Sequence, residues 1–139
     1  MIAKFDIKMI QNMNLFERIT GVKAKCCFNY NFVTVFVVQK QYLSRALGEN
    51  AFNIQKIGNR LNKKIRIVAY PQGKQDLEKF IQAVIFPFEF KNVILNNNEL
   101  QIFSQPQTKA VLIGRNKARL EELSGIINQF FGIKKVVIK

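Results

Sequence analysis

Two short segments of the chain have residue types and a spacing that suit the binding of an anionic group. Each begins with a glycine and runs into a segment with helical periodicity, one from Gly48 to Ile54 and the other from Gly114 to Leu120. A glycine lets another backbone come close, and the first N–H groups of the following helix have no partner inside that helix. Phosphate is a typical occupant of such a turn. We call Gly48–Ala51 the first loop and Gly114–Lys117 the second loop.

The charge of the chain points in the same direction. It has 22 Lys and Arg residues against 9 Asp and Glu residues, which gives a formal net charge of +13. An excess of this size implies an anionic partner, which could be RNA, DNA or an anionic membrane surface. A basic surface can also serve solubility alone. Because the chain is 48% hydrophobic and contains 13 phenylalanines, it can build packed cores and is not a disordered basic tail.

The elements that position the loops follow one order twice. Apolar periodicity and turn residues predict a helix, two strands joined by a hairpin, two helices separated by a loop, and a closing strand. In the first half these are helix 6–19, strands 22–28 and 32–38 around a turn at 29–31, helix 41–47, a helix carrying Ile54, Ile57 and Leu61, and strand 65–70. In the second half they are helix 77–86 with Asp76 as N-cap, strands 88–95 and 99–103 around a turn at 96–98, helix 106–113, a long helix ended by Gly132, and strand 136–138.

The repeated order α-β-β-α-α-β indicates an α+β fold built by internal duplication. Pro71–Gln75 is a polar break containing proline and glycine, and it suggests a boundary between two small domains. We therefore predict one domain over residues 1–72 and a second over 73–139. The first residues, Met1–Lys8, carry charges too often for a signal peptide, and no apolar run reaches the roughly 20 residues that a membrane span needs.

The loops and their flanking helices resemble the KH module, which grips single-stranded nucleic acid across a helix–GxxG–helix turn. Over nearly the whole chain, the sequence resembles the short archaeal form of the transcription factor NusA. The best-matching stretches are Leu15–Val22, Ala46–Ile54 and Phe131–Ile138. The resemblance implies two tandem prokaryotic-type (type II) KH domains that bind single-stranded RNA during transcription elongation or termination, with RNA polymerase as a further candidate partner.

The resemblance and the basic excess together give a set of candidate RNA-binding residues in and just after the two loops. They are Gly48, Glu49, Asn50, Ala51, Asn53, Lys56, Gly114, Arg115, Asn116, Lys117 and Arg119. For Asn53, an ordinary exposed helix position is nearly as good an interpretation. The aliphatic Ile54, Ile57 and Ile65 are candidates for base contacts, although a core position is the better interpretation of each.

Both loops depart from the GxxG pattern. Ala51 and Lys117 stand where the closing glycine is expected, and Glu49 stands where a cation is common. Lys117 in the second loop and Arg119 just after it add positive charge, so we hypothesise that this loop is the stronger clamp on the phosphates. Changing both to alanine should then weaken RNA binding more than Glu49→Ala does.

The same departures favour one alternative function. A degenerate KH fold could lose its RNA and act mainly as a protein-interaction module on RNA polymerase or a ribosomal particle. An enzyme is not indicated, because the chain has no histidine, no nucleotide-binding glycine motif and no carboxylate cluster placed for metals. We expect no cofactor, no membrane partner, a cytoplasmic location, a monomer, and reduced thiols at the adjacent Cys26 and Cys27.

Overall fold

The structure is a computed structural model that describes residues 7–139. Asp6, the first residue of the predicted helix 6–19, lies outside the described part, as does most of the segment Met1–Lys8 that argued against a signal peptide. The chain folds into two compact units, which meet in sequence between Tyr70 and Pro71. We call them the N-terminal unit and the C-terminal unit, and each has its own sheet.

The N-terminal unit packs three helices on a three-stranded mixed sheet. Its elements are α1 (Ile7–Thr20), β1 (Cys26–Tyr30), β2 (Val33–Val38), α2 (Leu43–Leu47), α3 (Phe52–Leu61) and β3 (Ile65–Ala69). The strand order is β1-β2-β3, with β1 antiparallel and β3 parallel to β2. A parallel neighbour requires a crossover connection, and α2 and α3 supply it. The first loop lies within this crossover.

The C-terminal unit repeats the same topology. Its elements are α4 (Leu77–Ile85), β4 (Asn92–Asn96), β5 (Glu99–Phe103), α5 (Pro106–Ile113), α6 (Ala118–Phe131) and β6 (Lys135–Ile138). The order is β4-β5-β6, with β4 antiparallel and β6 parallel to β5. The second loop lies between α5 and α6, in the crossover. The α+β class, the two small mixed sheets and the repeated element order are thus confirmed.

Each unit has an aromatic centre in its core. In the N-terminal unit the rings of Phe16 and Phe36 stack with centroids 4.6 Å apart, and both residues are fully buried. In the C-terminal unit the buried ring of Phe80 lies 4.8 Å from that of Phe130 and 5.8 Å from that of Phe131. These ring contacts hold α1 to the sheet in the N-terminal unit and α4 to α6 in the C-terminal unit.

The hairpin turns are shorter than the sequence predicts. The first turn consists of Asn31 and Phe32, with φ of 51° and 65°, so β1 continues through Tyr30, which pairs with Val33. The predicted turn at 29–31 was therefore wrong by about two residues, and the strand predicted from residue 22 begins only at Cys26. A two-residue hairpin turn of type I′, which matches the twist of the strands, needs two left-handed residues. An aromatic residue rarely adopts that conformation, which is why Phe32 was not expected there.

The second hairpin and the start of α4 also differ in detail. Asn97 and Asn98 form the turn with φ of 49° and 68°, and β4 begins at Asn92 instead of residue 88. Asp76 directly precedes α4, but its side chain does not cap the helix. Its Oδ2 instead accepts a hydrogen bond of 2.9 Å from the Gln72 N–H.

Candidate nucleic-acid interface

The first loop joins α2 to α3 through a backbone conformation that its glycine makes possible. Gly48 has φ 76° and ψ −179°, a region that essentially only glycine occupies. Asn50 and Ala51 follow in the left-handed region, with φ of 56° and 54°. The Ala51 N–H donates to the Gly48 carbonyl over 3.1 Å, which closes the turn. Glu49, Asn50 and Ala51 are all exposed, so this turn faces solvent.

The second loop repeats this conformation nearly angle for angle. Gly114 has φ 75° and ψ 173°, and Asn116 and Lys117 are left-handed with φ of 56° and 63°. The Lys117 N–H donates to the Gly114 carbonyl over 3.2 Å. Arg115, Asn116 and Lys117 are exposed. The two loops therefore share one shape although neither has the closing glycine, and Ala51 and Lys117 adopt the conformation that glycine adopts more readily.

Asn53, just after the first loop, joins the two helices that flank it. Its side-chain Nδ2 donates a hydrogen bond of 2.9 Å to the main-chain carbonyl of Ala46, at the end of the preceding helix. A Cβ atom placed on Gly48 would lie only 2.8 Å from the same Nδ2 atom. Asn53 is half-buried. Of the two interpretations of this residue, an ordinary exposed helix position does not fit, because the side chain joins α2 to α3.

Arg119, at the corresponding place after the second loop, is turned onto its own helix. Its Nε lies 3.1 Å from Glu122 Oε1, and only 15% of its side chain is exposed. A Cβ atom on Gly114 would lie 2.8 Å from Arg119 Cγ and 2.9 Å from its main-chain nitrogen. Arg119 and Glu122 therefore form an ion pair along one face of α6. The exposed cations of the second loop itself are Arg115 and Lys117.

Two basic residues that flank the first loop in sequence, Arg45 and Lys56, contact different parts of the N-terminal unit. The Arg45 Nη2 atom lies 3.4 Å from the position of a Cβ on Gly21, so its guanidinium is at the C-terminal end of α1. Cations are favourable at that end of a helix. Lys56 is exposed on α3, and its Nζ lies 5.9 Å from the centroid of the Phe52 ring.

Phe52 is a feature of this surface that the sequence did not single out. It begins α3 directly after the first loop and is 55% exposed. The apolar periodicity of the chain suggested that its phenylalanines serve mainly in the core. The signal that could have found Phe52 is the comparison of the two copies, because the corresponding residue after the second loop is Ala118.

An open groove of about 570 Å³ lies along α3 and the start of β3. Its lining is polar and basic with a few aliphatic side chains: Val33, Ile54, Gln55, Gly58, Asn59, Asn62, Lys63, Lys64, Ile65 and Arg66. Burial lowers the pKa of the Arg66 guanidinium from its usual range. Of the three aliphatic candidates for base contacts, Ile54 lines the groove at half burial, Ile65 lines it while largely buried, and Ile57 is fully buried in the core.

Two other kinds of site can be addressed for residues 7–139. Within this range no three His, Cys, Asp or Glu side chains lie close enough together to hold a metal ion. No helix within it is both long enough and apolar enough to cross a membrane.

Comparison with known proteins gives two curated relatives along most of the chain. A probable transcription termination protein NusA from Methanococcus vannielii is 24% identical over 139 residues, which cover 97% of this chain and 79% of the relative. A protein of the same description from Halococcus morrhuae is 23% identical over 130 residues, 91% of each chain. The chain is similar to archaeal NusA proteins. The resemblance inferred from the sequence is thereby confirmed.

A solved structure supports the same fold. The crystal structure of APE1850 matches with a TM-score of 0.65 and 25% sequence identity, over 97% of this chain and all of that one. No protein-family model matches the chain. The architecture of this NusA-like chain is consistent with two tandem KH-like domains, each carrying one of the two loops between its paired helices.

Proposed function

We propose that this NusA-like chain is a single-stranded RNA-binding factor of transcription elongation or termination. Residues 1–72 and 73–139 would form tandem type II KH domains that grip RNA phosphates at the two loops. The observation that carries the proposal is the common backbone shape of the loops around Gly48 and Gly114. Two different sequences keep one strained, solvent-facing conformation, which is expected where the conformation itself is used.

The charges of the two loops suggest unequal roles. The second loop presents Arg115 and Lys117 to solvent, whereas the first presents Glu49. A carboxylate repels a phosphate that approaches it, and a cation attracts one. We therefore assign the stronger phosphate clamp to the second loop. The pairing of Arg119 with Glu122 makes Lys117 and Arg115 the better candidates for direct phosphate contacts.

The biological setting follows from the relatives. Both are named as probable transcription termination proteins. By that similarity we propose RNA polymerase as a partner, a cytoplasmic location, a monomer, and a binding role without catalysis or a cofactor.

The decisive experiment is fluorescence anisotropy with a short single-stranded RNA, the same sequence as DNA, and duplex RNA, across a salt series. We expect the single-stranded RNA to bind most tightly. The logarithm of its affinity should fall with the logarithm of salt concentration at about 0.7 per phosphate contacted. Equal, weak binding of single strand and duplex would contradict the proposal, because it would indicate only a nonspecific attraction to the basic chain.

A protein-interaction module is the second candidate, and β4 is the observation in its favour. This strand lies at the edge of its sheet, and every residue except the half-buried Val93 is exposed. Ile94 and Leu95 are 46% and 38% exposed, and the segment carries no charge. An uncharged apolar edge strand is a template for pairing with another chain. If RNA shows no single-strand preference, capture of RNA polymerase by the wild-type chain but not by Ile94→Lys would favour this role.

A further inference from the structure

An exposed aromatic ring stands at the exit of the first loop. Phe52 is the first residue of α3 and follows the left-handed Asn50 and Ala51. It is 55% exposed, whereas Phe16 and Phe36 of the same unit are fully buried. The side chain of the next residue, Asn53, donates a hydrogen bond to the Ala46 carbonyl and so holds the start of α3 to the end of α2. The ring is therefore presented to solvent beside the proposed phosphate clamp.

The fold does not need an aromatic residue at this place. Phe52 has φ −61° and ψ −30°, and Ala118 has φ −60° and ψ −43° at the corresponding place after the second loop. The same loop shape and the same helix start are thus formed with a methyl group in place of a benzyl group. The loop shape and the helix start therefore do not require the ring, and more than half of its surface is open to a contact outside the chain.

A lysine accompanies the ring. Lys56 lies one helical turn after Phe52, and its Nζ is 5.9 Å from the ring centroid, within the range of a cation–π contact. An aromatic face beside a cation suits a nucleotide, because the base can stack on the ring while the cation attracts the phosphate. Base stacking tolerates any sequence, since every base has a π face.

We propose that Phe52 is a stacking platform for one unpaired base of the bound RNA, with Lys56 beside it to attract the phosphate of that nucleotide. This rests on the proposed RNA-binding function and adds to it a base contact in the N-terminal unit. It explains how the first loop holds RNA despite Glu49. The second loop has Arg115 and Lys117 but only Ala118 after them, so the two loops use different contacts.

The surroundings of the ring favour a base over a protein partner. Lys56 lies beside the ring, and Glu49, Asn50 and Gln55, within three residues of Phe52 in sequence, are also polar and exposed. A protein interface is centred on a buried patch of several apolar or aromatic side chains. A single ring among polar groups offers no such patch, whereas one base needs only one ring.

Because the chain contains no tryptophan, Phe52→Trp gives a single fluorescent reporter at the proposed platform. Phe86→Trp is its matched control, since Phe86 is 62% exposed. It directly follows α4 in the C-terminal unit, away in sequence from both loops and outside the lining of the α3 groove. We expect single-stranded RNA to quench the indole emission of Phe52→Trp to saturation and to leave the control largely unchanged. Absence of quenching at saturating RNA, or equal quenching in both variants, would overturn the proposal.

Phe52→Leu tests the contribution of the ring without a reporter, since it keeps an apolar side chain of similar size. We expect its affinity for single-stranded RNA to fall about tenfold, the effect of losing one stacked base. An abasic oligonucleotide of the same length has phosphates but no bases, and the variant and wild type should bind it equally. Unchanged RNA affinity in Phe52→Leu, or an equal loss on the abasic strand, would overturn the platform. Failure of the wild type to prefer single-stranded RNA would instead refute the RNA-binding function itself.

Discussion

The side-chain amide of Asn53 donates a hydrogen bond of 2.9 Å to the main-chain carbonyl of Ala46 and so joins the two helices that flank the first loop. In the second unit the corresponding residue is Arg119, which packs against Gly114 and pairs with Glu122. Two unlike side chains thus support one loop shape. The shape is therefore specified by several local contacts and not by a single motif.

Asn53→Ala should destabilise the N-terminal unit by about 1 kcal/mol, because it removes this hydrogen bond and leaves the Ala46 carbonyl without it. Asn59→Ala is the matched control, since Asn59 is an exposed asparagine in the same helix. Both changes replace asparagine by alanine within α3, so the extra loss of stability in Asn53→Ala is attributed to the hydrogen bond. Urea unfolding measures both. Equal midpoints would show that the Asn53 hydrogen bond adds nothing to stability.

Ala51→Gly should stabilise the chain by about 1 kcal/mol, because Ala51 has φ 54° and glycine adopts this conformation without the steric cost. Ala83→Gly, inside α4, is the control and should destabilise by about the same amount. The measurement is thermal unfolding of the two variants beside wild type. If Ala51→Gly lost stability, the steric cost of alanine in the left-handed region would be smaller than the conformational entropy that glycine adds to the unfolded chain.

The glycines that open the loops should differ in their tolerance of alanine. Both have backbone angles that alanine avoids, which costs roughly 1–3 kcal/mol. A Cβ on Gly48 meets the movable Asn53 side chain, whereas a Cβ on Gly114 also meets the main-chain nitrogen of Arg119 at 2.9 Å. Gly114→Ala should therefore be the more destabilising change by urea unfolding. A larger loss of stability in Gly48→Ala would show that the Asn53 side chain is the less yielding neighbour.

The sequence predicted the element order because each unit carries strong periodicity between glycine and asparagine turns. It misplaced the first hairpin because Phe32, an aromatic residue in the left-handed region, violates the usual preference. It did not reveal that Arg119 pairs with Glu122. The sequence around an arginine near a loop is the same whether its side chain points into solvent or lies along its own helix. The exposure of Phe52 depends on packing, which periodicity does not report for a residue at a helix start.

The two cysteines should be unreactive in the folded chain. Burial raises the pKa of Cys26 and of Cys27 from 9.0 to about 12, so their thiolates are scarce near neutral pH. Ellman's reagent at pH 8 should label the native protein slowly and the urea-unfolded protein at both thiols quickly. The folded state retains these protons while the unfolded state loses them, so stability should fall as pH rises from about 9 towards 12. Fast labelling of the native protein would show that the thiols are accessible.

The exposed cations of the second loop should contribute more to RNA affinity than the paired one. Arg115→Ala combined with Lys117→Ala removes two charges that face solvent, and we expect the salt slope for single-stranded RNA to fall by about 0.7 for every phosphate that the variant no longer binds. Arg119→Ala removes a guanidinium already held 3.1 Å from Glu122, and it should change the slope little while lowering stability. Anisotropy titrations at several salt concentrations measure the slopes, and urea unfolding of the same samples separates folding from binding.

The pairing of Arg119 with Glu122 also sharpens the expectation that Lys117 and Arg119 changed together weaken RNA binding more than Glu49→Ala does. With Arg119 held on its own helix, most of that loss of affinity should come from Lys117. The single variants Lys117→Ala and Arg119→Ala, titrated under the same salt conditions, separate the two contributions. Arg119→Ala alone could instead reduce the salt slope of RNA affinity as much as the Arg115 and Lys117 double variant does. The ion pair between Arg119 and Glu122 would then have to open when RNA binds, and Arg119 would hold the phosphate.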